Sequence, residues 1–211
     1  MNDVDVPSEA NVEGGATLHT HFVPWRYPED LTTDVDVSTG ATLRLRAIRA
    51  SDAAKLVAFH SRLSSGSIYR RYFSEHPTLA HEEVRHFTRV DYVDRLALVI
   101  LDGDDLVAVG RFDRYPQTSE AEVAFIVGDD YQHLGLGHQL LARLADAARD
   151  RGVTTFCAET LFTNIDMISV FRHSGFPVTS STSMGEVTLR FPIEPTEESA
   201  ALLDSYRSRR T

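Results

Sequence analysis

Along this 211-residue chain the apolar positions switch repeatedly between a period of two and a period near 3.6, and the switches place the elements. Alternation over 32–37 and again over Ala41-Thr42-Leu43-Arg44-Leu45-Arg46-Ala47-Ile48, around Ser38-Thr39-Gly40, predicts a hairpin. Ser51 reads as the N-cap of a helix to about Leu63, with Leu56, Val57, Phe59 and Leu63 inward. A short segment 67–73 follows, then a helix begun by Pro77 or Thr78 that carries Leu79, Val84 and Phe87. Two apolar runs, 96–101 and 106–112, flank Asp102-Gly103-Asp104-Asp105 and predict a second hairpin. Next come a strand at 120–127, a helix at 136–151, a strand at 153–159 and a helix at 165–174, the helices closed by Gly152 and Gly175. Strands at 177–182 and 186–191 complete the pattern, and Thr196-Glu197-Glu198 caps a polar helix expected to be exposed. The order is that of an α+β fold, without the regular βαβ alternation of a doubly wound sheet.

Composition narrows the class. Hydrophobic residues make up 42% and charged residues 25%, ordinary for a soluble globular chain, and no apolar run approaches the ~20 residues of a membrane span. Cys157 is the only cysteine and the acidic start lacks a signal-peptide layout, so a cytoplasmic setting is expected. Of the net charge of −10, −7 falls within residues 1–40, which hold eight acids and the single base Arg26. The nearly balanced remainder argues against nucleic acid as the main partner. The expected organisation is an acidic, disordered leader over 1–30, a folded domain over 31–193, and a C-terminal polar helix or tail over 194–211. The leader reads either as a solvated tail or as an arm for basic partners.

Candidate chemistry concentrates at Gln132-His133-Leu134-Gly135-Leu136-Gly137, between the strand 120–127 and the helix 136–151. A glycine turn at a helix start presents unpaired N–H groups at the positive end of the dipole, which suits a phosphate or pyrophosphate. The spacing is not GxGxxG, and no Lys-Ser/Thr follows, so neither a Rossmann fingerprint nor a P-loop fits.

With Asn164, Phe171 and Gly175-Phe176 downstream, this signature resembles that of the GNAT N-acetyltransferase superfamily, over roughly residues 32–191. The stretches Leu45–Asp52, Ser67–Phe73 and Ala121–Phe125 resemble the catalytic domain of bacterial Pat-type protein lysine acetyltransferases. The resemblance implies a mixed, mostly antiparallel sheet flanked by helices and splayed between the fourth and fifth core strands, 120–127 and 153–159. It implies acetyl-CoA or a related acyl-CoA as donor and no metal. The pyrophosphate would lie on Gln132, His133, Leu134, Gly135, Leu136, Gly137 and His138, and the pantetheine arm along the main chain of Phe125 and Val127, with Asn164 and Phe171 beside it. Protein lysines, such as those of acyl-adenylate-forming CoA ligases, would be the acceptors, and the enzyme a monomer or homodimer. Two departures stand out: Leu134 replaces a common basic residue, and Phe171 a tyrosine proposed to protonate the CoA thiolate.

A lysine amine, with pKa near 10.4, must lose a proton before it attacks. Glu122 is the candidate base by position and by resemblance, with Glu159 as second candidate. His173 is offset from Phe171 by two residues and points elsewhere; Cys157 reads as a small buried hydrophobe. His76, His81 and His86 spread around a helix, and His19 and His21 fall in the leader, so no metal site is expected. Tyr69 and Arg71 line an acceptor groove in one reading of the segment 67–73, while Tyr72 and Phe73 anchor the core. A small-amine acetyltransferase and a non-catalytic acyl-CoA-binding module stand as alternative functions.

Overall fold

The computed structural model describes residues 26–208, so the expectations for the leader before Arg26, His19 and His21 included, lie outside the described residues. The strands are β1 (Thr33–Asp36), β2 (Thr42–Ala47), β3 (Arg95–Asp102), β4 (Asp105–Arg114), β5 (Glu120–Val127), β6 (Thr155–Leu161), β7 (Thr179–Ser183) and β8 (Glu186–Pro192). They form one sheet in the order β1-β2-β3-β4-β5-β6-β8-β7, antiparallel throughout except for the parallel neighbours β5 and β6. Helices α1 (Ala53–Arg62), α2 (Ser65–Tyr72) and α3 (His81–Thr88) precede β3. Helices α4 (Leu136–Arg149), α5 (Ile165–Arg172) and α6 (Glu197–Ser208) follow β5, β6 and β8. This is the expected mixed, mostly antiparallel α+β architecture.

Burial follows the sequence pattern. β2 alternates because its second face is polar, whereas Leu96 to Leu101 of β3 are all buried because helices cover both faces there. On α4, Leu136, Leu140 and Leu144 recur every four residues and lose their exposure to the sheet core, each worth about 1.5–3 kcal/mol. At the far edge, β7 is a run of exposed Thr and Ser, a polar edge that discourages further strand pairing.

Four expectations are corrected. The first helix begins at Ala53, because Asp52 is drawn inward: its carboxylate accepts from Arg49 N at 2.7 Å and pairs with Arg46 at 2.7 and 2.8 Å. Val57 points to solvent and is 46% exposed. Packing starts ahead of residue 31: the Tyr27 hydroxyl donates to Ala47 O at 2.9 Å, and its ring lies under Arg49 and edge-on to Tyr92. The C-terminal helix is no exposed appendage either. α6 packs on α4 and β1, buries Ser199 and Leu203, and is anchored by Thr196 Oγ1 donating to Gly175 O at 2.6 Å.

Candidate active site

β5 and β6 pair only over Glu120–Glu122 against Thr155–Cys157; beyond Glu122 the sheet forks. The main-chain phase of β5 is fixed at its ends. Glu120 O and Gly128 N bond toward the β4 side, whereas Ser119 O accepts from Thr154 on the β6 side. Alternation then turns the N–H and C=O groups of odd-numbered residues toward β6. At Phe125 and Val127 those groups face the open fork. Glu122 is the last paired residue before the fork, at its apex.

The mouth of the fork leads to the start of α4. His133 and Gly135 both adopt left-handed conformations, φ 61° and 84°. For His133 that conformation costs roughly 1–2 kcal/mol. Successive turns of this kind make neighbouring N–H groups converge. The first intrahelical bond of α4 is Gln139 N to Gly135 O, so the N–H groups of Leu136, Gly137 and His138 precede it and point out of the helix end. The turn is braced from below: Gln132 Nε2 donates to Ser67 Oγ at 3.1 Å and to Val127 O at 3.3 Å. Asp129 accepts from Ser64 N, Ser64 Oγ and Ser67 Oγ at 2.7–2.8 Å, tying the start of α2 to the same loop. Burial pushes the pKa of the His138 imidazole down, helped by His173.

Fork and turn enclose a cleft of about 310 Å³. Phe125, Val127, Gln132, His133, Gly135, Leu136, Gly137, His138 and Asn164 line it together. Two expected residues stand apart. Leu134 packs toward the core, and Phe171, 1% exposed, is a core ring 5.3 Å from Phe125 and 5.7 Å from Phe191. Asn164 faces the cleft but is committed locally: its Oδ1 caps α5 at Met167 N and its Nδ2 donates to Thr160 Oγ1. Sequence reasoning missed Ser67, Tyr131, Met167 and Val170 as lining residues.

On the opposite face of β5, side chains at one level run across the sheet in register: Arg95, Asp113, Glu122, Cys157, Arg190 and Thr179. Asp113 is held by Arg95 at 2.9 Å and Arg111 at 3.3 Å, and Glu120 by Arg190 at 2.6 Å. Helices α1–α3 cover this face over β3–β5, and α2 also reaches β6. On β8 and β7 its residues are exposed, Thr188 and Arg190 among them, as is Glu159 of β6. Tyr115, 41% exposed, overlooks Cys157, Glu122 and Glu159; burial and those groups raise its pKa. Among the described residues no hydrogen bond or ring contact links Cys157 to a histidine. Burial and Glu120, whose Oε2 is 3.6 Å away, push its thiol up, which makes it a poor nucleophile. His173 is exposed and occupied with Ser169.

A mixed sheet forked beside a glycine turn, with a carboxylate at the apex, defines a GNAT-type fold. The chain belongs to the acetyltransferase (GNAT) family, whose model matches residues 66–176. It is 35% identical over 145 residues to the acetyltransferase Pat of Mycolicibacterium smegmatis, an alignment covering 67% of this chain and 43% of that protein. The chain thus spans less than half the length of that relative. Among solved structures it superposes on the GNAT domain of S. lividans PAT with a TM-score of 0.75 and 38% identity, covering 79% of this chain and 99% of that domain. A cAMP-binding acyltransferase from Mycobacterium smegmatis gives a TM-score of 0.57 at 27% identity, covering 83% of this chain and 54% of that one. No helix among the described residues is long and apolar enough to cross a membrane.

Proposed function

We propose that this chain is an acyl-CoA-dependent N-acyltransferase that acetylates protein lysines by direct transfer, with Glu122 as general base. The observation that carries the reading is the fork itself. It leaves the main-chain groups of Phe125 and the N–H of Val127 without a β6 partner, with Val127 O taken by Gln132 Nε2; it ends at Glu122 and opens onto the N–H groups of α4. These residues fit acetyl-CoA: a strand edge suits an amide-bearing arm, which pairs as an added strand would. Helix N–H groups at 135–138 suit a pyrophosphate without the cation that Leu134 lacks. Arg70 on α2 adds positive charge to the same cleft. The bound donor supplies an activated acyl group. The protein holds it, and Glu122 accepts the proton of the incoming amine.

A protein acceptor is favoured over a small amine by the open face beside Glu122. β8 and β7 present a surface of exposed, mostly polar residues, with Glu159 of β6 exposed beside them, where a small amine would need enclosing walls. The same carboxylate-bearing face, with Glu159 exposed next to Glu122, suits a lysine side chain. Glu122 and the open face also weigh against a purely binding module. The likeness to Pat and to the S. lividans PAT domain supports protein acetylation.

The test is Glu122→Gln. General-base catalysis contributes about 10²–10⁴-fold, so kcat is expected to drop by that factor while calorimetry shows unchanged acetyl-CoA affinity. Near-normal turnover with intact binding sinks the assignment of the base.

A further inference from the structure

Beneath α1–α3 lies a second, smaller cavity of about 40 Å³, and it meets the donor cleft at three residues that line both: Arg71, Phe125 and Ile126. Phe125 is where the proposed function puts the end of the pantetheine arm, so the junction lies beside the acyl group. Most of the inner wall is apolar, including Ala97, Val109, Ala124, Phe87 and Leu79. Arg71 and Arg111 are its two permanent charges, and both are cations. Their situations differ. Arg111 has Asp113 at 3.3 Å and lies 4.4 Å over the Phe87 ring. Arg71 reaches only the Tyr72 ring, at 5.3 Å, and has no carboxylate within ion-pair distance among the described residues. Burial, and then the like charge of Arg111, lower its pKa, with Glu122 and Asp113 acting as distant counter-charges.

A half-buried guanidinium beside a second one, without its own counter-ion, is costly unless an anion arrives. One water needs about 10–15 Å³, so the inner cavity takes an extension of about three or four heavy atoms and no long aliphatic tail. We infer that this cavity is an acyl pocket for acyl-CoA donors whose short chain ends in a carboxylate, of the malonyl or succinyl type, with Arg71 as the group that receives that carboxylate. The methylenes lie against Ala124, Val109 and Ile126, and the charge rests on the guanidinium, which can take it in bidentate fashion. The inference rests on the placement of the arm at Phe125. The transfer is otherwise unchanged. The amine nitrogen bonds to the acyl carbon, the C–S bond breaks, Glu122 takes the amine proton, and CoA leaves with the electron pair as thiolate. A lysine then changes from a cation to an anion, a larger charge change than acetylation makes.

Succinyl-CoA and butyryl-CoA have acyl chains of equal carbon number that differ in the terminal carboxylate, and both are measured by calorimetry beside acetyl-CoA. Wild type is expected to bind succinyl-CoA at least about tenfold more tightly than butyryl-CoA, the low end of a hydrogen bond to a charged group. Arg71→Met is expected to abolish that preference, read as the ratio of the succinyl-CoA and butyryl-CoA Kd values within the variant, and Arg71→Lys to restore part of it. Circular dichroism and melting temperature verify that both variants fold, and if Met does not, Lys against wild type decides. Butyryl-CoA bound as tightly as succinyl-CoA by wild type overturns the inference, as does a succinyl preference indifferent to Arg71. Failure of acetyl-CoA itself to bind overturns instead the donor-site reading beneath it.

Discussion

Gly137→Ala separates what the cleft needs from what the fold needs. Gly137 is the second residue of α4 and has no left-handed φ, so its backbone does not require glycine. Helix propensity favours alanine there by roughly 0.5–1 kcal/mol. Against that gain, the new Cβ stands 3.3 Å from Val170 Cγ2 and 3.5 Å from Phe125 Cε2, close enough that a side chain must give by a few tenths of an ångström. The two effects nearly cancel, and stability is expected to stay within about 1 kcal/mol of wild type, or roughly 2–4 °C in Tm. Binding is another matter. Val170, Phe125 and Gly137 all line the donor cleft, so the methyl occupies the approach to the α4 N–H groups. Loss of one hydrogen bond to a charged phosphate costs about 1.5–3 kcal/mol, at least a tenfold rise in the acetyl-CoA Kd. Calorimetry with acetyl-CoA, run beside a thermal melt, measures both. A Kd within twofold of wild type in a folded protein refutes the reasoning, since the glycine would then stand outside the path of the ligand.

Two further predictions concern the frame around the site. Asp52→Asn breaks the Arg46 pair and is expected to cost about 3–5 kcal/mol by denaturant titration. Burial alone would raise the Asp52 pKa, but Arg46 and the Arg49 N–H overcome it and hold it below its ordinary value. Its contribution is therefore complete above the unfolded pKa of about 3.9 and is lost as pH falls through the lower folded value, a slope the Asn variant should lack. Gly175→Ala is expected to cost about 2–5 kcal/mol, because φ is +77° and a Cβ would stand 2.5 Å from Ser199 N on α6. Proteolysis within 197–208 should accelerate in that variant, and unchanged protection would show that α6 does not rest on Gly175.

The site was legible where one local rule governed it. Alternation over 120–127 followed by the glycine turn located β5, the start of α4 and eight of the residues that line the cleft. Reading failed where tertiary packing decided. Phe171 occupies a motif position, yet it shares the buried side of α5 with Ile168. Leu203 is a single apolar contact on a polar helix, too weak a pattern to predict that α6 docks. Tyr27 looked like part of an acidic tail because its partners, Ala47, Arg49 and Tyr92, are distant in sequence. The cationic pair Arg71 and Arg111 comes from α2 and β4, and no spacing rule joins them. Tyr115, on a turn, reaches the level of Glu122 only because β4 and β5 form a hairpin.

The central claim is that the forked strand and the α4 turn present an acyl donor to a lysine at Glu122. Incubation with isotopically labelled acetyl-CoA and a whole-cell lysate, followed by mass-spectrometric mapping, tests it most directly. The account predicts label on the ε-amines of protein lysines, reduced at least a hundredfold in rate with Glu122→Gln. Label confined to small amines, or absent while acetyl-CoA binds at full strength, would contradict it.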